Sequence, residues 1–427
     1  MLDIKFIREN TDKVKKAVEA KRLDSSLVDK VLELDEAWKK ILREVEALRS
    51  ERNKAAEAKD IEKGKEIKEK LKNLEPQLKE TEGKFNQAIL QIPNLVADDV
   101  PVGKDESENK VVREWGKPLK FDFKPKDHVE IGESLDIIDV KRASEIVGAR
   151  FAYLKGDGAL LEFALIQFVL SVLTDENLLK GIADKVEKGY TPKPFVPVVP
   201  PVMIKEEVFE KMARLHPKEE RYFIPTDNLF LIGSAEHTLG PMHMNEVLNE
   251  KDLPIRYVGF STSFRREAGS YGKDTRGILR VHQFDKLEME SFTIPENGPK
   301  EQDFFVAIQE YLMQKLELPY QVIAICTGDT GAPDYRQIDI NTWLPGQGEY
   351  RETHTSDYMT DYQARRLNTK YNTKDGAQFV HMNDATAFAI GRTIIAVLEN
   401  YQQKDGTVNV PKVLQEYMGK EKFLGNV

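Results

Sequence analysis

The sequence predicts an α+β protein: an antiparallel sheet flanked by helices, preceded by an antiparallel helical hairpin. Three observations carry this. Two consecutive heptad runs occupy the start of the 427-residue chain. Residues 264–290 have two strand-like flanks around a middle, 269–277, made of turn residues and charge, which is the pattern of a long β-hairpin. Short strand-like runs recur at 195–202, 229–232, 320–327 and 336–343, with helical patterns between them.

The chain is long enough for two or three domains with a substantial core. Its longest apolar run, 160–173, is interrupted by Glu162 and Gln167 and falls short of a membrane span. The start, Met-Leu-Asp-Ile-Lys-Phe, lacks the apolar stretch of a signal peptide. A single cysteine, Cys326, leaves no disulfide framework and no cysteine-based zinc cage. The expectation is a soluble cytoplasmic protein that does not meet a membrane. A net charge of −9 argues against general nucleic-acid affinity, so an RNA partner would have to be met by local basic patches.

Residues 1–24 suggest one short helix, capped at Asn10-Thr11, with Val14, Ala17 and Val18 on one face. Leu27, Val31, Leu34, Trp38, Ile41, Val45, Leu48, Arg52 and Ala55 then alternate steps of four and three. Ile67, Leu71, Leu74, Leu78, Thr81, Phe85, Ala88 and Ile92 do the same. The polar run between them is short, so the two helices should pack antiparallel and extend roughly 45 Å. Equal, consecutive seams satisfy each other within one chain, which argues against a dimerisation coiled coil. Pro76 should kink the second helix without changing the phase of its seam. Near the tip Arg49, Arg52, Lys54, Lys59, Lys63 and Lys65 are mixed with acids; a subset of them could contact phosphate.

Residues 98–120, rich in proline, glycine and charge, read as a linker, giving units of 1–110 and 111–427. A turn at 155–158 precedes an amphipathic helix, and 177–188 adds helical material. The run 195–202 is a strand closed by prolines, which belongs at an edge or an interface. A strand at 229–232 leads into Gly233-Ser234-Ala235-Glu236. In the long hairpin, alternation places Arg265 and Glu267 on one face of the incoming strand. It places Arg280, His282, Phe284, Lys286 and Glu288 on one face of the outgoing strand. Guanidinium groups for phosphate, a ring for a base and carboxylates for amino groups suit a nucleotide. Residues 380–393 open a helix with Ile394, Val397 and Leu398 inward and Arg392 at its start, where the dipole favours anions. The histidines show no ligand spacing, and no zinc is expected.

The form Phe-Arg-x-Glu-Ala-Gly-Ser-x-Gly-x-Asp-Thr-Arg-Gly…His-Gln-Phe-x-Lys-x-Glu resembles motif 2 of the class II aminoacyl-tRNA synthetases, in the version of the bacterial-type seryl-tRNA synthetases. The run 195–202 resembles motif 1, which builds the homodimer interface, and 380–393 resembles motif 3. The resemblance implies that Arg265 and Arg392 are catalytic, Arg265 on the α-phosphate and the serine carboxylate, Arg392 on the γ-phosphate. ATP would also meet Glu267 at the adenine amino group, Val281 through its backbone and Phe284 by stacking. Arg266 stands in the same stretch in place of the family's commoner serine, and its parity points it away. Glu352-Thr353-His354-Thr355 corresponds to a further ATP segment, with Glu352 and Thr355 as Mg²⁺ ligands and no role assigned to His354. Serine would be bound by Arg265 and Glu288, by Ser234-Ala235-Glu236 in place of Thr-x-Glu, and by Asp384 and Thr386 in place of the asparagine and serine of Asn-Gly-Ser.

The N-terminal arm would grip the long variable arm of tRNA. The implied activity is ATP-dependent activation of L-serine and transfer to tRNA(Ser), with tRNA(Sec) left open as a second acceptor. The rival is a non-catalytic or altered-specificity paralogue that binds RNA or charges another acceptor; relatives that charge carrier proteins tend to lack such an arm. The chain also departs from the family in the added helical material at 177–188, in the segment near 211–223, where Gly-Thr-Gly-Gln-Leu-Pro-Lys-Phe is not recognisable, in Asn341, which replaces a glutamate, and in Asp384, which replaces an amide.

Overall fold

The computed structural model describes residues 1–268 and 276–423. Most of the expected turn of the long hairpin, 269–275, lies outside the described residues. The N-terminus forms two helices, α1 (Ile4–Glu9) and α2 (Thr11–Ala20), where one was expected. The Asn10 amide donates to the Phe6 carbonyl and the Thr11 hydroxyl to Ile7. Both side chains therefore finish α1, and Asn10 makes no side-chain cap to α2.

The heptad runs become α3 (Ser26–Glu57) and α4 (Ile61–Leu90). Val45, Ala55, Ile67 and Leu71 are buried along the seam. Nearer the base, Trp38 stacks on Phe85 with ring centroids 5.9 Å apart. Arg52, placed on the seam by its spacing, is exposed: a guanidinium near the tip gains more from water than from a two-helix interface. Pro76 sits inside α4, which continues on both sides of it. At the tip Lys59 adopts φ +55°, and Asp60 caps α4 by accepting from the Lys63 amide.

The base of the arm is fastened to the rest of the chain. Tyr362 closes the cluster of Ile7, Val14, Val28, Val31 and Ile92. Lys21 donates to the carbonyls of Gly331, Ala332 and Asp334, and Asn94 to those of Pro333 and Met359.

Among the described residues the central sheet has eight strands. In chain order they are β1 (Lys110–Trp115), β2 (Val196–Val198), β3 (Ile255–Phe264), β4 (Gln283–Thr293), β5 (Tyr320–Ala324), β6 (Arg336–Leu344), β7 (Glu349–Thr360) and β8 (His381–Ala389). Their order across the sheet is β1-β5-β6-β7-β8-β4-β3-β2. Neighbours are antiparallel except β2, which pairs parallel to β3 at the far edge. The proline-rich strand thus lies at an edge, where missing N–H donors do least harm.

Two elements differ from expectation. The stretch read as linker contains β1, the opposite edge strand; it pairs through its backbone with β5 while Val111 and Val112 stay exposed. A charged edge strand carries no apolar alternation to betray it. Residues 381–389 form a strand, and the helix starts only at Ile390. Met382 through Phe388 are all buried, and a strand buried on both faces loses the period-two signal that separates it from a helix. Helices Gly298–Lys315, Asp157–Leu173 and Ile390–Tyr401 cover the sheet and share one large core with it.

Candidate active site

The sheet carries a cavity of about 310 Å³ over β4, β7 and β8. Its nucleotide-suited end is built where β3 stops. The backbone leaves the strand after Phe264, and Glu267 adopts φ +53°. Strict alternation therefore does not decide where Arg265 and Glu267 point, yet both line the cavity. Arg265 donates through Nε to the Gly233 carbonyl at 3.1 Å, and its guanidinium lies 5.3 Å from the Phe284 ring. Arg280 bonds Glu267 at 2.8 Å. Because β4 begins at Gln283, Arg280 and His282 are not on the strand. Arg280 and Val281 still line the cavity, whereas His282 accepts no such place; its Nδ1 meets the Arg265 carbonyl at 3.0 Å.

Arg392 is the third residue of the helix Ile390–Tyr401 and reaches back to the Glu352 carbonyl at 2.7 Å and carboxylate at 3.1 Å. Glu352 and Thr355 share the cavity face although three positions apart. The register between β6 and β7 slips at Thr353, a bulge that re-aims the strand. Thr353 also lines the cavity, while His354 is buried on the other side with its ring 5.7 Å from Phe388. His354, a member of the expected ATP segment with no role of its own, thus lies away from the cavity. Arg266 likewise lies outside the cavity, its guanidinium 5.7 Å from the Tyr222 ring and its N–H on the Glu220 carbonyl.

The other end is dense in buried charge. Glu236, Lys286, Glu288, Asp384 and Thr386 line it. Ser234 does not; it sits beneath, accepting from Lys286 at 2.9 Å, and Ala235 is buried under Gly259. Lys286 pairs with Glu288 at 2.5 Å. Burial pushes Glu288 up to about 8, with Glu236 and Asp384 adding to the shift and Lys286 opposing it. Glu236 is held well below the usual carboxylate range although burial works the other way. His237 cannot supply that charge at neutral pH, because burial pushes it down to about 3. Lys286 and Arg214 are the cations that keep Glu236 ionised.

An oxygen set for a hard cation is present. Glu352 is half exposed, and Thr355 donates to Asp339 at 2.8 Å. Burial and the nearby Glu352 push Asp339 well up, as a neighbouring acid does to a buried carboxyl. Asn341 faces Glu352 across the β6–β7 register. Among the described residues no three His, Cys, Asp or Glu side chains form a metal cluster. The donors fit Mg²⁺ bound by a few protein oxygens, with phosphate and water completing the shell. Arg214, Asp334 and Asp357 also line the cavity, and the sequence reading missed all three. They belong to no recurring pattern, and an acid at 384 asking for a cation was the one available sign.

The antiparallel sheet carries Arg265 and Arg392 in one cavity, and residues 222–401 match the family model of the tRNA synthetase class II core domain (G, H, P, S and T), which makes the protein a class II aminoacyl-tRNA synthetase. Residues 1–96 match the seryl-tRNA synthetase N-terminal domain. The chain is 41% identical to the serine–tRNA ligase of Thermodesulfovibrio yellowstonii, over 98% of its own length and 99% of that protein. It is 40% identical to that of Pseudothermotoga lettingae, over 99% of both. The crystal structure of seryl-tRNA synthetase from Pyrococcus horikoshii complexed with ATP superposes with a TM-score of 0.90 at 38% identity, covering 100% of both chains. The chain belongs to the seryl-tRNA synthetase family.

Proposed function

We infer that this enzyme activates L-serine with ATP to seryl-adenylate and pyrophosphate, then transfers the seryl group to the 3′-terminal adenosine of tRNA(Ser). The observation that carries this is one cavity holding both Arg265 with Phe284 and Glu236 with Glu288, in a chain matched to the family along 98% of its length.

The serine carboxylate oxygen attacks the α-phosphorus; the new P–O bond forms as the bond to pyrophosphate breaks. No protein nucleophile is needed. Arg265, fixed by the Gly233 carbonyl, and Arg392, at a helix start, neutralise phosphate charge as it redistributes. Phe284 offers its ring to adenine, and the Glu267 carboxylate is available to the adenine amino group. Glu236, ionised and buried, suits the serine ammonium; Glu288 suits the hydroxyl. Glu352 and Thr355 would hold Mg²⁺, which when bound supplies further charge neutralisation on the phosphates.

A division near residue 110 into an arm unit and a catalytic unit is supported by β1, the first strand of the sheet, beginning at Lys110. The arm would meet tRNA through Arg49, Arg52, Lys54, Lys59, Lys63 and Lys65. The hydrophobic edge at β2, with Val196 and Val199 exposed, suits a homodimer contact. Among the described residues no single helix is long and apolar enough to cross a membrane, and a cytoplasmic location is our reading. ATP–pyrophosphate exchange assayed with each amino acid tests the proposal. Serine should support exchange far above the rest; exchange with none of them overturns it.

A further inference from the structure

Arg214 and Asp384, far apart in the chain, meet at the floor of the cavity. Arg214 reaches there from the short connection after helix Glu206–Lys211. Its Nη2 bonds three buried carboxylates, Asp357 at 2.9 Å, Asp334 at 3.1 Å and Asp384 at 3.3 Å. Its carbonyl is fixed by two bonds from Arg221, at 2.7 and 3.1 Å. Its buried Nε has no partner among the described residues. Asp334 leads back to the arm, because its own carbonyl accepts from Lys21.

A cluster that only pinned strands together would satisfy itself. In this one a single guanidinium is shared by three acids, the cluster opens onto the cavity, and a donor is left unused. It also explains Asp384. A lone buried carboxylate beside ATP phosphates would repel them, whereas the shared guanidinium offsets part of the charge of the carboxylate it binds.

We propose that Arg214 is a positioning residue for the amino-acid pocket: it holds Asp384 on the floor as an ion pair, leaving Glu236 and Glu288 as the acids that meet serine. This rests on the reading of the cavity as a serine site. Glu236, Glu288, Glu290, Asp334, Asp357 and Lys286 also face this group electrostatically. Burial already pushes Asp384 up to about 7, with Arg214 opposing, so removing Arg214 raises it further.

The test is serine-dependent ATP–pyrophosphate exchange against pH, for the native chain and for R214Q, R214K, D384N and R214Q/D384N. At pH 8, R214Q should raise the serine KM about tenfold or more, as loss of one partner of a buried pair does, with the ATP KM nearly unchanged. The defect should shrink towards pH 6, where Asp384 takes up a proton. R214Q/D384N should recover most of the serine KM and lose that pH dependence, and R214K should recover part of it. A R214Q defect that is equal at every pH and not relieved by D384N overturns the proposal, as does an unchanged serine KM. Should R214Q fail to fold, R214K decides: an ATP KM that rises as much as the serine KM overturns the idea. A native chain that exchanges with no amino acid overturns the serine-site reading and this inference together; an active native chain with these variant results overturns only the inference.

Discussion

The arm and the pocket use the same charged residue types to opposite ends. On the arm, Lys70–Glu66, Lys84–Glu80 and Arg49–Glu75 pair at 2.7–2.8 Å, all well exposed. Water and salt leave such pairs worth at most about 1 kcal/mol each, and stability there comes from the apolar seam. In the pocket, Lys286–Glu288 and Arg214–Asp384 are removed from water. There each charge shifts its neighbours, so Glu236 stays ionised while Glu288 and Asp384 are pushed towards neutral pH. The lesson is that an ion pair's role follows from its burial, and that charge on the arm is free to serve a soluble partner while charge in the pocket is committed to the reaction.

The largest effect expected from this contrast comes from cutting the arm. Arg49 and Glu75 face each other across the hairpin, so a short turn can replace residues 49–75. tRNA charging should be abolished while serine-dependent exchange stays near the native rate. Loss of both activities in a folded protein would show that the arm is structural to the pocket, and the contrast would fail.

Next is Arg265→Ala. Its guanidinium is the cation held by Gly233 and Phe284 at the nucleotide end. Removing it should raise the barrier by on the order of 3 kcal/mol and so slow exchange by roughly 150-fold, with the melting temperature little changed. A folded variant exchanging near the native rate would remove Arg265 from the chemistry.

The smallest effect sharpens the contrast through pH. Asp384 has an ordinary value of 3.8 and is pushed up to about 7, mainly by burial. An acid whose pKa is higher folded than unfolded holds its proton in the native state over that interval. It therefore costs stability progressively as pH rises from about 4 to about 7. Asparagine does not titrate. The melting temperature of Asp384→Asn, relative to the native chain, should thus rise between about pH 4 and about pH 7 and level off above that. A constant difference across that range would mean that burial does not raise Asp384.

Much of the molecule was legible in its sequence. The heptads placed α3 and α4, because a seam repeats every few residues and needs no distant partner. The long hairpin was readable from its flanks, and Phe264 does pair with Gln283 across it. Prolines announced the edge strand β2. Other features were hidden for physical reasons. β1 is a charged strand whose pairing is all backbone. β8 is buried on both faces and shows no alternation. One extra residue at Thr353 turns Glu352 to the side of Thr355 and leaves His354 in the core, and spacing alone does not reveal a bulge.

Residue types and local periodicity therefore determined the arm, the hairpin and the identity of the groups that suit ATP and serine. The fold decided which of those groups share a dielectric environment. Arg214 meets Asp334, Asp357 and Asp384 from 120, 143 and 170 positions away. No local pattern records such a meeting, since the energy of a buried charge depends on every neighbour the sheet brings to it.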